Sequence, residues 1–180
     1  MCGFTGFYTS EATRSRSALH TIGRAMTDTL SHRGPDSGDV WQDPDVPLLL
    51  GHRRLAIIDL SPEGHQPMAS ASQRYMISYN GEIYNFLELR AELEQAGVKF
   101  RGRSDTEVIL AAIEQWGLNL TLQKINGMFA LALWDRKLRQ LHLVRDRLGK
   151  KPLYAGWAGK TLVFGSELKA LQMHPDFKAA

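Results

Sequence analysis

Cys2 is the residue of this sequence best suited to covalent chemistry. Removal of the initiator methionine, which we expect before so small a residue, would leave Cys2 with a free α-amine beside its thiol. Ordinary pKa values are about 8.5 for a thiol and about 7.7 to 8.0 for an α-amine, so part of the amine can accept the thiol proton near neutral pH. Cys2 could therefore be nucleophile and base without a histidine partner. The alternative is a small apolar side chain packed at the start of a strand.

A second group of candidates is the run Asn80-Gly81-Glu82, which follows an apolar segment and precedes a helix. The Asn80 side-chain amide and the Gly81 backbone N–H can converge on one oxyanion, and such a donor can lower a barrier by about 3 kcal/mol. Asn-Gly is also a common tight turn. The two interpretations can both hold.

Helical spacing of apolar residues predicts three helices that would position these groups. The first covers roughly Ser17 to Leu30. The second begins with a capping box of Asn85 and Glu88 and ends at Gly97, and the third repeats the device with Ser104, Glu107 and Gly117. The predicted strands are Phe4–Tyr8, Leu48–Gly51, Leu55–Leu60, Tyr75–Tyr79, Met128–Trp134, Leu141–Val144, Leu153–Trp157 and Leu162–Phe164.

The segment Met128–Trp134 is apolar on both alternating faces, which predicts a strand covered on both sides. Antiparallel hairpins buried on two faces, with amphipathic helices before and among them, indicate an α+β fold with two face-to-face sheets between helical layers. A length of 180 residues without an internal linker predicts a single domain spanning residues 1–180.

Composition and charge exclude several classes of protein. The longest apolar run, residues 127–134, is far shorter than the roughly 20 residues of a membrane-spanning helix. The polar N-terminus is unlike a secretory signal, so we expect a cytoplasmic protein without membrane contact. A single cysteine excludes an internal disulfide, and no histidine pair has metal-ligand spacing, so we predict no metal site. The net charge of +3 is nearly balanced, and we predict no nucleic-acid partner.

Seven short blocks, in order along the chain, carry a resemblance to a known family. They are Met1-Cys2-Gly3, the blocks at 32–36 and 52–59, Asn80-Gly-Glu-Ile-Tyr-Asn85, Ser104-Asp-Thr-Glu107, Gly127-Met-Phe-Ala130, and the block at 145–154. Together they resemble the glutaminase domain of the asparagine synthetase family, a class II glutamine amidotransferase. The resemblance implies the four-layer αββα fold of N-terminal nucleophile hydrolases.

The same resemblance implies the reaction. Cys2 would attack the side-chain amide of L-glutamine, forming a γ-glutamyl thioester and releasing ammonia, and water would then free glutamate. Asn80 and Gly81 would hold the oxyanion.

Substrate contacts are implied in the same way. Arg54 would bind the substrate α-carboxylate as a bidentate fork, and Asp105 would bind the α-ammonium. Glu82 and the backbone around Ile57 and Ile58 would hold the rest. From the residues alone, Arg54 could be an ordinary surface arginine, and an acid at position 105 is favoured by the helix dipole in any case.

The block at 32–36 resembles the family's loop near the nucleophile, and we expect Arg33 and Asp36 to be supporting residues. It also fits an ordinary turn containing proline. No phosphate-binding loop is found, so ATP and magnesium are expected only in an absent C-terminal synthetase domain, with no cofactor in residues 1–180. The acceptor of the ammonia is left open among aspartate, a sugar and a peptide. A homodimer is possible.

Two alternatives stay open. One is a catalytically silent module that binds glutamine or docks a partner, which a retained Met1 would favour. The other is a hydrolase of the same fold with another substrate, such as a peptidase or acylase. Paired charges at positions 54 and 105 suit a free amino acid better than a peptide interior.

Overall fold

The computed structural model describes residues 1–10, 14–57 and 59–178. Within these ranges it contains nine strands and five helices. The strands are β1 (Gly3–Thr9), β2 (Ser37–Gln42), β3 (Leu48–Arg54), β4 (Met68–Ala69), β5 (Tyr75–Ile83), β6 (Gly127–Asp135), β7 (Gln140–Arg145), β8 (Tyr154–Ala158) and β9 (Thr161–Gly165). The helices are α1 (Arg16–Asp28), α2 (Phe86–Gln95), α3 (Asp105–Trp116), α4 (Leu118–Lys124) and α5 (Leu168–Gln172).

The strands form two antiparallel sheets. The first sheet has the order β2-β3-β1-β9-β8, and the second has the order β4-β5-β6-β7. Strand β1, which follows Cys2, is central in the first sheet, where Gly3 pairs with Arg53 on β3. Strand β5 is internal in the second sheet, and its Asn80 and Gly81 pair with Ala130 and Phe129 on β6.

Three apolar clusters divide the molecule into four layers. Helices α1 and α5 cover one face of the first sheet, where Leu19, Met26 and Leu171 pack against Phe7 and Val163. Helices α2 and α3 cover the second sheet in the same way. Phe4, Leu50, Ala130, Trp134 and Phe164 pack between the two sheets. The predicted αββα sandwich is therefore confirmed.

Strand β6 explains why both faces of its sequence are apolar. Phe129, Leu131 and Leu133 belong to the cluster under α2 and α3, and Ala130, Ala132 and Trp134 belong to the cluster between the sheets. Alternate residues of a strand point to opposite faces, so each face here meets its own apolar layer. The prediction of a strand covered on both sides is confirmed.

The helix starts follow the sequence signals only in part. Ser104 Oγ accepts a hydrogen bond from the Glu107 N–H at 3.2 Å, as the capping box predicts. The capping box at Asn85 is wrong, because the Asn85 amide bonds instead to the Lys124 carbonyl and the Asn126 N–H. Gly97 and Gly117 have φ values of +90° and +79°, which favour glycine at helix ends.

The predicted strand Leu55–Leu60 is also wrong. Strand β3 ends at Arg54, because its partner β1 begins at Gly3 and leaves almost no chain for further pairing. The Asp36 carboxylate accepts the Ala56 N–H at 2.8 Å and turns the chain away from the sheet. The loop that follows, including the short turn Pro62–Gly64, forms one wall of the candidate site. Strands β2 and β4 and helices α4 and α5 have weak periodicity and were not predicted.

Candidate active site

The Cys2 thiol lies half-buried at the start of β1. Its Sγ accepts a hydrogen bond from the Leu55 N–H at 3.3 Å and lies 3.5 Å from the Leu55 carbonyl oxygen. Burial raises the pKa of the thiol, and the hydrogen bond from Leu55 only partly opposes this effect. The thiol is therefore mostly protonated near neutral pH, so nucleophilic attack by Cys2 needs a base.

Asn80 lies on the face of β5 that is turned towards the first sheet. Met76, on the same face of β5, packs between the sheets. Phe4 on β1 also packs there, and Cys2 lies two residues before Phe4. Asn80 is 2% exposed, and its Nδ2 has no hydrogen-bond partner among the described residues. A buried amide donor without a partner is available to an acceptor that a ligand brings.

Gly81 continues the regular pairing of β5, so the interpretation of Asn-Gly as a tight turn is wrong. A Cβ at position 81 would collide with the carbonyl oxygen of Met128 and with Phe129. Glycine is therefore required because the neighbouring strand approaches closely. Gly81 and the exposed Glu82 both line the pocket beside the loop that contacts Cys2.

Asp105 lies in the same pocket at the first residue of α3. Its carboxylate accepts hydrogen bonds from the Tyr79 hydroxyl at 2.7 Å and from the Ile83 N–H at 3.0 Å. It is 5% exposed, and burial raises its pKa although these hydrogen bonds oppose the change. No lysine, arginine or histidine forms an ion pair with Asp105 in the part of the chain described. A ligand cation would supply the missing partner.

Arg54 lines the pocket at the end of β3. Its guanidinium donates hydrogen bonds to the carbonyl oxygens of Asp59 and Ser61, which fix its direction without neutralising its charge. A Cβ at position 64 would collide with the guanidinium, so Gly64 leaves the space that Arg54 occupies. Among the residues that the structure describes, no carboxylate forms an ion pair with Arg54. The pocket thus contains a fixed cation and a fixed anion.

The backbone near the nucleophile is held by Arg33 and Asp36. Arg33 donates from Nε to the Cys2 carbonyl oxygen at 2.9 Å and from Nη1 to Glu167 at 2.9 Å. Asp36 bonds to the Ala56 N–H, and its own N–H donates to the Arg54 carbonyl oxygen at 3.1 Å. Arg33 and Asp36 are not among the residues that line the pocket of Arg54 and Asp105. The supporting role of both residues stays a prediction.

Comparison with known proteins decides the family. The sequence model of the glutamine amidotransferase domain matches residues 1–180. The chain belongs to this family. It resembles in particular the N-terminal portion of asparagine synthetases, which places it in class II of these domains.

Several relatives of this amidotransferase domain are longer proteins. Glutamine-hydrolyzing asparagine synthetase 3 of Bacillus subtilis (strain 168) is 43% identical over 183 residues, covering 99% of this chain and 28% of that protein. Asparagine synthetase 1 of the same organism is 38% identical, covering 96% of this chain and 27% of that protein. Amidase chry2 of Gibberella zeae is 34% identical, and the match covers 94% of this chain and 26% of that protein. The chain thus spans about a quarter of the length of these relatives.

A solved structure confirms the fold of the amidotransferase domain. Glutamine phosphoribosylpyrophosphate amidotransferase from B. subtilis superimposes with a TM-score of 0.79. The match covers 96% of this chain and 43% of that chain at 24% sequence identity. The resemblance at this level of identity concerns the fold.

The structure brings most of the predicted site residues of this amidotransferase domain together. Arg54, Ile57, Gly81, Glu82 and Asp105 line one pocket. Cys2 reaches the pocket wall through Leu55, and Asn80 precedes Gly81 on β5. Ile57 is 73% exposed on the loop after β3. Ile58 lies outside the described residues. Their roles in substrate binding and catalysis stay predictions.

Sequence reasoning missed three residues that organise the pocket. Tyr79 bonds to Asp105, and Gln66 joins the Tyr79 N–H at 2.7 Å to the Thr106 hydroxyl at 3.2 Å. His52 lies fully buried between the sheets with its Nε2 3.0 Å from the Tyr79 carbonyl oxygen. Burial lowers the pKa of His52 to about 3, so it stays neutral. Tyr79 directly precedes Asn80, which was a usable signal, whereas nothing in the sequence marked Gln66.

In the ranges that the structure describes, no group of three metal-ligating side chains is found, and the absence of a metal site stays a prediction. No helix within those ranges has the length and apolar character needed to cross a membrane.

Proposed function

We propose that this domain hydrolyses the side-chain amide of L-glutamine through a γ-glutamyl thioester on Cys2. The observation that carries the proposal is the buried Asn80 Nδ2, which has no hydrogen-bond partner among the described residues. Asn80 lies on the face of β5 turned towards the first sheet, whose strand β1 follows Cys2. A carbonyl oxygen that becomes an oxyanion during attack by Cys2 is the acceptor that best suits this donor and the adjacent Gly81 N–H. The family of the chain supports glutamine as the substrate.

The charges of the pocket suit a free amino acid. Arg54 has two terminal nitrogens in a plane and can meet both oxygens of the α-carboxylate. Asp105 can accept the α-ammonium, which would replace the cation that its buried carboxylate lacks. The pocket wall between them comes from Gly81, Glu82 and the loop after β3. A peptide interior carries neither of these charges.

The reaction proceeds in two steps. In the first, the α-amine of processed Cys2 takes the thiol proton, the sulfur attacks the amide carbon, and the proton passes to the leaving nitrogen as ammonia departs. In the second, water attacks the thioester carbon, and its proton returns by the amine to the departing sulfur, which frees glutamate. The raised pKa of the thiol is the reason that the amine is required.

The ammonia is used by a C-terminal ATP-dependent synthetase domain, with asparagine formation from aspartate as the first candidate reaction. The support is that the relatives named as glutamine-hydrolyzing asparagine synthetases are about four times longer than the matched region. ATP and magnesium belong to that domain, and no cofactor is assigned to this one. A cytoplasmic location, homodimer formation and the absence of a nucleic-acid partner stay predictions.

The test compares three substrates on the processed domain: L-glutamine, its α-amide and its N-acetyl derivative. We expect ammonia release from L-glutamine to exceed release from both capped substrates by well over tenfold, because each cap removes one charge. Equal rates on all three would contradict the glutamine assignment and favour another amidohydrolase. Saturable glutamine binding without ammonia release would identify a silent glutamine-sensing module.

A further inference from the structure

Lys151 is a buried lysine next to the N-terminus. It is 6% exposed, and its Nζ lies 3.1 Å from the thioether sulfur of Met1. Across residues 1–10, 14–57 and 59–178, no carboxylate forms an ion pair with it. Lysine is almost never fully buried unless it is paired. The contact places the Lys151 side chain beside the residue whose removal creates the α-amine of Cys2.

The loop between β7 and β8 fixes the position of Lys151. The Asp146 carboxylate accepts four backbone N–H groups, those of Phe129, Leu148, Lys150 and Lys151. Arg145 donates from Nε to the Lys151 carbonyl oxygen at 2.7 Å. The backbone of Lys151 is thus held at both its N–H and its C=O. This network fixes the point from which the Lys151 side chain extends.

The contact with Met1 bounds the distance from the ammonium to the nitrogen of Cys2. Met1 Sδ is joined to that nitrogen by five covalent bonds, which span about 6 Å when extended. With a contact of 3.1 Å between Lys151 Nζ and Met1 Sδ, the two nitrogens lie within about 10 Å of each other. At this range in a partly buried site, one positive charge measurably disfavours a second.

We propose that the Lys151 ammonium keeps the α-amine of processed Cys2 in its neutral, proton-accepting form near neutral pH. Lys151 acts as a positioning residue through its charge, because it influences the α-amine of Cys2 and does not contact the substrate. The inference rests on the proposed function, because the state of the amine matters to catalysis only if the Cys2 thiol is the nucleophile.

Other charged groups lie near Cys2 or Lys151, so the effect of Lys151 has to be isolated by substitution. Arg54 on β3 and Asp105 on α3 act on the Cys2 thiol, and Arg33 after α1 bonds to the Cys2 carbonyl oxygen. Glu82 on β5 lines the pocket, Asp146 after β7 accepts the Lys151 N–H, and Glu167 before α5 accepts a hydrogen bond from Arg33. Asp146 opposes Lys151, but its oxygens are occupied by backbone N–H groups. Glu167 is paired with Arg33.

The single cysteine makes a direct titration feasible, because ¹³C,¹⁵N-cysteine labels Cys2 alone. Intact mass first confirms that methionine is removed from each variant. We expect the α-amine of the unaltered domain to titrate below the ordinary range of about 7.7 to 8.0. In Lys151→Met the amine pKa should rise by about half a unit to one unit. The matched control is Lys150→Met, which removes the same charge from the exposed neighbouring position and should leave the amine unchanged.

The pH profile of glutamine hydrolysis gives the second readout. The acid limb of kcat/KM should move to higher pH in Lys151→Met by the same amount and should keep its position in Lys151→Arg. An amine pKa that is equal in the unaltered domain and in Lys151→Met would overturn the inference while leaving the glutaminase proposal standing. If Lys151→Met does not fold, an ordinary amine pKa in the unaltered domain overturns it. Absence of hydrolysis with a shifted amine would instead contradict the proposed function.

Discussion

The hydroxyl of Tyr79 donates a 2.7 Å hydrogen bond to the buried carboxylate of Asp105, joining β5 to the start of α3. The Ile83 N–H donates to the same oxygen, so β5 contacts Asp105 on both sides of Asn80 and Gly81. Burial raises the pKa of Tyr79 well above its ordinary value, which keeps the hydroxyl a donor. The strand that carries the proposed oxyanion donors and the carboxylate proposed to bind the α-ammonium are thus held as one unit.

Tyr79→Phe should therefore weaken glutamine binding more than it slows the chemical step. Loss of a hydrogen bond to a buried charged group costs about 1.5 to 3 kcal/mol, so KM should rise by roughly tenfold or more. Steady-state kinetics on the processed domain measure the effect, with Tyr154→Phe as the control because Tyr154 is 43% exposed on β8. A fall in kcat at constant KM would show that Tyr79 instead aligns Asn80.

Cys2→Ala should abolish glutamine hydrolysis without unfolding the domain, because it removes a half-buried thiol and little core volume. Cys2→Ser should be nearly inactive, since a hydroxyl is a much weaker nucleophile than a thiol beside so weak a base. Ammonia release and thermal unfolding are measured in parallel. Continued turnover by Cys2→Ala would remove Cys2 from the mechanism.

Asn80→Ala should lower kcat by roughly 100- to 1000-fold and leave KM nearly unchanged, as expected for a donor that engages mainly the transition state. Ser78→Ala is the matched control. Ser78 lies on the same face of β5, is fully buried, and also has a side chain without a partner among the described residues. We expect its kinetics to stay close to those of the unaltered domain. A loss confined to KM in Asn80→Ala would reassign Asn80 to ground-state binding.

Features of the fold and the site that depend on residues close together in the sequence were predicted, and features that depend on distant contacts were not. The two faces of β6 and the helix ends at Gly97 and Gly117 were correctly predicted, because periodicity and left-handed glycines depend on nearby residues. The loop after β3 was mistaken for a strand, because its course depends on a contact with the distant Asp36. Lys151 and Gln66 were missed because their contacts are also with residues far away in the sequence.

Glu167 should stabilise the domain at neutral pH, and this contribution should be lost in acid. Burial favours its neutral form, but hydrogen bonds from Arg33, His32 and Lys169 outweigh burial and lower its pKa from 4.5 to about 2. A carboxyl group with a lowered folded-state pKa contributes stability that is present above pH 4.5 and is lost as the pH falls towards 2. Urea unfolding should show Glu167→Gln to be less stable than the unaltered domain at pH 7, with a smaller difference at pH 3. Glu88→Gln, at an exposed position, is the control. A difference independent of pH would contradict the assignment.

Arg54 offers the sharpest separation of substrate anchoring from damage to the nucleophile. A guanidinium can meet both oxygens of a carboxylate, whereas a lysine ammonium is a single point of charge, so Arg54→Lys should raise KM for glutamine although the charge is kept. Truncating one partner of a buried charged pair costs about 2 to 5 kcal/mol, so Arg54→Ala should raise KM by well over tenfold.

Labelling of Cys2 by a small uncharged thiol reagent should slow much less than hydrolysis in Arg54→Ala. Arg54 bonds to the loop carbonyls at positions 59 and 61 and not to Cys2, and its charge influences the thiol pKa less than burial and the Leu55 hydrogen bond do. Arg53→Ala is the matched control, since Arg53 contacts Asp28 and the Gly34 carbonyl oxygen, away from the pocket. An unchanged KM in Arg54→Ala, or thiol labelling slowed as much as hydrolysis, would contradict the anchoring role. A raised KM in Arg53→Ala alone would move that role to the neighbouring arginine.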